Sequence, residues 1–209
     1  MIASLLQLNP RGVQALKLTD PYSIHRVVYG LFEDVRSEQQ KQDSVSSGFL
    51  FADKGGDARG RQILMLSDRE PLRNLNQDYG EIRSTGIAHS FLEHETYRFE
   101  VIVNPVYRQN ATGKIMPVKG RESIAQWFED RAVSSWGFKV ALEQLSVDEV
   151  IVKKFNDKKS REVTLAQAHV SGVLSVIDRE RFQKSFSLGI GRAKTFGCGL
   201  LQVTPVVQP

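Results

Sequence analysis

Apolar residues along this chain change period in the same order twice, and that alternation constrains the fold more than any other feature. A period of two marks a half-buried strand, and a period near 3.6 marks an amphipathic helix. From residue 2 to about 92 the order reads strand, helix, two strands, helix, strand, and from about 96 to 207 it repeats. No residue-level repeat accompanies it, so the duplication is one of element order. A chain of 209 residues has room for one large domain or two small ones.

In the first half, Ile2–Leu8 is a short apolar run stopped by Asn9-Pro10-Arg11-Gly12, which predicts a buried strand and a turn. Ile24, Val27, Val28, Leu31, Phe32 and Val35 then recur at helical spacing, with Asp20 as N-cap and Pro21 at the first helical position. Ser37–Ser47 is polar and reads as a loop. Strands are expected at Gly48–Ala52 and Gln62–Leu66, a weaker helix at Arg69–Asn76, and a further strand within Glu81–Glu93.

In the second half, Tyr97, Phe99, Val101 and Val103 alternate with Arg98, Glu100, Ile102 and Asn104, a half-buried strand ending at Pro105. After a polar loop, Ile124, Trp127, Phe128 and Arg131 fall at helical spacing within Glu122–Ser135. Leu145–Phe155 and Arg161–Ile177 read as long strands, Asp178–Leu188 as a short helix, and Gly199–Val207 as a closing strand. Each half thus matches a split β-α-β unit. The expected fold class is α+β, two tandem ferredoxin-like (βαββαβ) domains packed closely, residues 1–92 and 93–209.

The 28 Lys and Arg barely outnumber the 24 Asp and Glu, so net charge names no partner unless the bases cluster. They do. Lys153, Lys154, Lys158, Lys159 and Arg161 sit within nine residues on the predicted hairpin. Such a ribbon can track phosphates or enter a nucleic-acid groove. Charge alone favours a solvated edge on which Lys discourages strand pairing. The loop Gly189-Ile190-Gly191-Arg192-Ala193-Lys194-Thr195-Phe196-Gly197-Cys198-Gly199 is the most unusual stretch. Gly189 and Gly191 let backbone approach a ligand closely, exposed N–H groups favour an anion, and Arg192 and Lys194 add charge. It is neither a Walker loop nor a Rossmann fingerprint.

Histidine is scarce: His25, His89, His94 and His169. His25 lies off the apolar stripe, with Tyr22 three before it and Tyr29 four after it on one flank. A His–Tyr pair can supply acid–base chemistry near neutral pH, although spacing alone favours a surface or capping role. No metal-ligand spacing, paired carboxylates or serine nucleophile elbow stands out, and no cofactor is expected. His94-Glu95-Thr96 and His169-Val170-Ser171 fit the loose His-x-Ser/Thr pattern of two-histidine phosphodiesterases, a rival reading. No apolar run nears the ~20 residues of a membrane helix. The first residues lack the basic region and cleavage site of a signal peptide, and one cysteine suits a reducing compartment. A cytoplasmic chain with no membrane partner is expected.

Several of these stretches together resemble one family. Asp20-Pro21-Tyr22-Ser23-Ile24-His25-Arg26 through Leu31-Phe32 is similar to the N-terminal Tyr-x-x-His helix of the CasE family. These are CRISPR RNA-processing endoribonucleases of type I-E systems, within the RAMP superfamily. Asn104-Pro105-Val106, Trp127-Phe128 and Gly137-Phe138 resemble that family's central signature, and Gly189–Leu201 resembles its glycine-rich loop. The resemblance spans essentially the whole chain, with residues 36–95 contributing least.

The resemblance implies metal-independent cleavage of CRISPR precursor RNA at the 3′ base of a repeat stem-loop. The RNA's own 2′-hydroxyl attacks, leaving a 2′,3′-cyclic phosphate and a 5′-hydroxyl. His25 would be the main acid–base catalyst, and Tyr22 its positioning or proton-transfer partner. Lys153, Lys154, Lys158, Lys159 and Arg161 would hold the RNA stem, with Gly189, Gly191, Arg192 and Lys194 beside the strand near the cut. The mature guide RNA would be retained for an antiviral surveillance complex, whose Cascade-type subunits would be the protein partners. A RAMP-type RNA-binding subunit without cleavage activity is the alternative from a different class.

Overall fold

Ile2–Leu8 forms β1, the strand against which both of its sheet neighbours are placed by register. The structure, a computed structural model, describes residues 1–43 and 45–206. The chain divides into two compact units, Met1–Ile87 with Thr195–Gly197, and Ala88–Lys194 with the residues from Cys198 onward. In the first unit β1 is followed by α1 (Pro10–Ala15), α2 (Pro21–Tyr29), α3 (Glu38–Gln42), β2 (Phe49–Asp57), β3 (Gly60–Ser67) and β4 (Gly80–Gly86). The four antiparallel strands lie in the order β2-β3-β1-β4. Leu6 faces Ile63 across one ladder, and buried Leu8, Ile24, Val28, Phe51 and Met65 complete the core with it.

α2 starts where the sequence places it. The Asp20 side chain accepts from Ser23 N at 2.7 Å, Ser23 Oγ answers the N-cap backbone, and Pro21 opens the helix. Such a cap contributes about 1 kcal/mol. The predicted stripe runs past the helix end, however. α2 stops at Tyr29, Gly30 caps it, and Leu31 N tightens onto Val28 O. Leu31 and Phe32 stay buried outside the helix, whereas Val35 is 66% exposed.

Three expectations change here. Asn9-Pro10, read as a turn, starts α1: Asn9 Oδ1 accepts from Gly12 N at 2.8 Å and Pro10 supplies a preset φ. The polar stretch Ser37–Ser47 holds α3, capped reciprocally by Ser37 and Gln40, with Ser44 outside the described residues. The helix expected at Arg69–Asn76 does not form. Pro71 disfavours helical backbone at Glu70. Leu72 N instead donates to Leu31 O at 2.7 Å, and Asn74 Nδ2 to Gly30 O at 3.0 Å. The segment's donors tie down the end of α2 rather than closing helical turns.

The second unit runs β5 (Thr96–Val103), β6 (Val106–Arg108), β7 (Ile115–Pro117), α4 (Arg121–Arg131), β8 (Phe138–Val140), β9 (Ser146–Asn156), β10 (Glu162–Val176), α5 (Arg179–Leu188) and β11 (Gln202–Pro205). Its order is β11-β5-β10, with β8 and β9 both pairing β10. Taking β8 and β9 as one broken strand, this matches the first unit's order. Tyr97, Phe99, Val101 and Val103 are buried as their alternation predicts, and Phe99 stacks on Phe128 of α4 at 5.5 Å. The predicted polar loop after Pro105 contains the β6–β7 hairpin. The closing strand is shorter than Gly199–Val207, and Val207 lies outside the described residues.

Strand length positions the surface features of this unit. β5–β10 pairing ends at Val103↔Ala168, so Glu162–Gln167 continues with β9 as a two-stranded ribbon. The β6–β7 hairpin leaves the sheet beside that point, because Asn104 Nδ2 donates to Ala166 O at 2.6 Å. Gly199 N donates to Ile102 O at 2.7 Å, which fixes the end of the glycine loop at the same level.

Candidate functional site

Helix α2 turns its apolar face to the first unit's core through Ile24 and Val28 and leaves His25 half-buried on the adjoining flank. Residues three and four apart share a helix flank, so Tyr22 and Tyr29 bracket the imidazole. The Tyr29 ring lies 3.9 Å from the His25 ring, and Tyr22 stacks at 5.8 Å with an interplanar angle of 22°. Tyr29 is itself held edge-on against Phe49 at 4.7 Å. Phe196 approaches the imidazole at 5.9 Å.

His25 Nδ1 lies 2.9 Å from the carbonyl oxygen of Thr195. A carbonyl only accepts, so Nδ1 carries the proton and the lone pair of neutral His25 is on Nε2. Burial lowers the His25 pKa from its ordinary 6.5, and the hydrogen bond to Thr195 raises it by less. Near pH 7 the imidazole is therefore neutral, fixed at Nδ1 and with no hydrogen-bond partner at Nε2 among the described residues. Sequence spacing indicated Tyr22 and Tyr29. The Thr195 carbonyl carries no side-chain signal, since a main-chain acceptor 170 residues away exists only in the fold.

The basic hairpin is split by its pleat. Successive strand residues point to opposite faces, so Lys153 lies with Ile151 and buried Phe155, and Lys154 with exposed Val150 and Val152. Lys154, Lys158 and Lys159 are exposed, and their side chains have no partner among the described residues. Arg161 is engaged: its Nε and Nη2 donate to Asp157 Oδ2 at 2.8 and 2.6 Å. Asp157 also accepts from Lys159 N and Arg161 N, which sets the turn, and the Arg161 guanidinium, with these backbone bonds behind it, holds the Asp157 carboxyl below the usual range.

In the glycine loop, Gly189 and Gly191 take φ of 74° and 70°, the left-handed region that favours glycine. At Gly199 a Cβ would stand 2.2 Å from Ile190 O, so only glycine fits. Arg192 is exposed with no partner among the described residues. Lys194, expected beside a phosphate, instead donates to Leu188 O at 2.9 Å and Gly189 O at 3.3 Å, capping α5. Burial lowers its pKa. Cys198 is buried against Gln167, and burial pushes its thiol up to about 11, far from a nucleophile's range.

The two-histidine reading fails on register. Ser175 faces Thr96 and His169 faces Ile102, six strand positions or about 20 Å along β10. His94 precedes Thr96 and donates its backbone N–H to Tyr97 Oη, so the two imidazoles do not bracket one phosphate. The central signature is structural. Trp127 Nε1 donates to Val106 O at 3.1 Å, and Gly137 O accepts from Ile177 N and Asp178 N where α5 begins. Among the described residues no three His, Cys, Asp or Glu side chains gather as a metal site, and no helix is long and apolar enough to cross a membrane.

A family model described as CRISPR associated protein matches residues 1–205. The curated CRISPR-associated endoribonuclease Cse3 of Thermus thermophilus is 27% identical over 215 residues, covering 96% of this chain and 98% of the relative. The solved structure of CRISPR endoribonuclease Cse3 bound to a 19-nucleotide RNA is similar with a TM-score of 0.80 at 22% identity, over 98% of this chain and 100% of that one. A chain of a CRISPR RNA-guided surveillance complex gives 0.66 at 15% identity, over 99% and 100%. At these identities the structural likeness speaks for the fold, and the tandem ferredoxin-like class read from element order holds.

Proposed function

The chain belongs to the CRISPR-associated protein family, and on that premise we propose that it is a metal-independent endoribonuclease that processes CRISPR precursor RNA. It cuts at the 3′ base of the repeat stem-loop and keeps the mature guide RNA for a Cascade-type surveillance complex in the cytoplasm. The observation that carries the reading is His25 itself: half-buried, flanked by two tyrosines, its Nδ1 engaged by Thr195 O and its Nε2 without a partner among the described residues. The name of the curated relative, an endoribonuclease, supports it.

In the proposed reaction Nε2 of His25 takes the proton of the 2′-hydroxyl at the cut. The 2′-oxygen forms a bond to phosphorus as the bond to the 5′-oxygen breaks. The leaving oxygen takes a proton, for which the Tyr22 hydroxyl is the proposed donor. Acid–base catalysis of this kind contributes roughly 10²–10⁴-fold, and in-line alignment of the 2′-oxygen supplies much of the rest.

We assign cleavage to residues 1–92 and RNA holding to residues 93–209. Lys153, Lys154, Lys158, Lys159 and Arg161 grip the stem by its phosphates, since A-form RNA is read largely by shape. Gly189, Gly191 and Arg192 lie beside the strand near the cut, and Lys194 keeps that loop seated on α5. With the cognate repeat RNA in the presence of a chelator, the protein is expected to yield a 2′,3′-cyclic phosphate and a 5′-hydroxyl. Intact RNA despite demonstrated binding would leave the non-catalytic RNA-binding subunit as the correct reading.

A further inference from the structure

The β6–β7 hairpin holds large apolar side chains in solvent on a fixed root. Its root is fixed on three sides: Asn104 Nδ2 to Ala166 O, Val118 N to Pro105 O at 2.9 Å, and Trp127 Nε1 to Val106 O. Its outer residues nevertheless remain in solvent. Tyr107 and Met116 face each other across the ladder, hence on one face, and are 46% and 36% exposed. Exposed Ile115 lies on the other face opposite Arg108. An isolated two-stranded hairpin has little reason to keep an aromatic and a methionine paired in water.

Charge selects the partner. From Val101 to Arg121 there is no Asp or Glu, while Arg108, Lys114, Lys119 and Arg121 are all cationic. Lys114 and Lys119 are exposed with no side-chain partner among the described residues. An aromatic ring set among unpaired cations suits a nucleotide, with the base on the ring and its phosphate on the lysines. The hairpin also leaves the sheet at the level where the β9–β10 ribbon becomes two-stranded.

We propose that Tyr107 stacks an unpaired nucleotide flanking the repeat stem, with Lys114 and Lys119 holding its phosphates. This rests on the RNA-processing reading above and adds to it a contact outside the stem. Binding would be measured with two RNAs blocked by a 2′-deoxy sugar at the cut, the bare stem-loop and the stem-loop with unpaired flanks. Tyr107→Ala is expected to weaken the flanked RNA roughly ten-fold, the scale of one base–aromatic stack. The bare stem-loop should bind as before, and Tyr107→Phe should restore the flanked RNA. A 2-aminopurine in the flank should lose fluorescence on binding to wild type and Tyr107→Phe, but not to Tyr107→Ala.

Equal loss on both RNAs, no loss on either, or 2-aminopurine fluorescence unchanged by wild type would overturn the stacking contact. RNA affinity left intact while Tyr107→Ala fails to join the other complex subunits would make the hairpin a protein-docking surface instead. Wild-type protein that binds neither RNA would overturn the RNA-processing reading, and the contact with it. The bare stem-loop therefore reports on that reading, and only the difference between the two RNAs reports on Tyr107.

Discussion

A carbonyl oxygen decides what His25 can do. Because Thr195 O accepts from Nδ1, the free nitrogen of the neutral ring is the basic one, and burial keeps that neutral form populated. A base must be unprotonated, so kcat/KM should stay level through neutral pH and fall only below 6.5, with its acid-limb midpoint under the ordinary histidine value. A rate that climbs as pH drops through that range would make His25 the acid. The same residue marks how far the sequence reaches. The flanking tyrosines are legible from spacing alone, whereas Thr195 and Phe196 come to the ring through tertiary structure. Lys194 teaches the converse lesson. A lysine in a glycine loop invites a phosphate, yet two helix-end carbonyls hold this one.

Elements were legible where local signals and burial agree. The Asp20-Pro21 start of α2, the alternation of β5 and the short helix α5 need nothing beyond their own residues. The errors arise where another element supplies the hydrogen bonds. Arg69–Asn76 has helical spacing, but its donors serve Gly30 and Leu31. The β6–β7 hairpin escapes a periodicity reading because each of its strands is only three residues long. The β9–β10 ribbon was readable as a hairpin, but not which of its cations are free. Lys158 and Lys159 at its turn are unpartnered among the described residues, and Arg161 is closed onto Asp157. Replacing Lys158 and Lys159 together with alanine should weaken stem-loop binding and make the slope of log affinity against log salt shallower by roughly one to two. An unchanged slope in a salt titration would remove the ribbon from the RNA interface.

On the proposed reading, the duplicated strand order lets one architecture carry two tasks. One unit presents a histidine on a capped helix; the other extends a basic ribbon and a cationic hairpin from one end of its sheet. Element order alone made that duplication visible, because each sheet is specified by local periodicity. Cleavage and RNA holding should therefore be separable by mutation. The most direct test is single-turnover cleavage of the cognate repeat RNA by wild type and His25→Ala, with affinity for the uncut RNA measured alongside. The account predicts that the variant binds with wild-type affinity and cuts at least roughly 10²-fold more slowly, the lower end of what a positioned acid–base group contributes. A variant that cuts at the wild-type rate would contradict it.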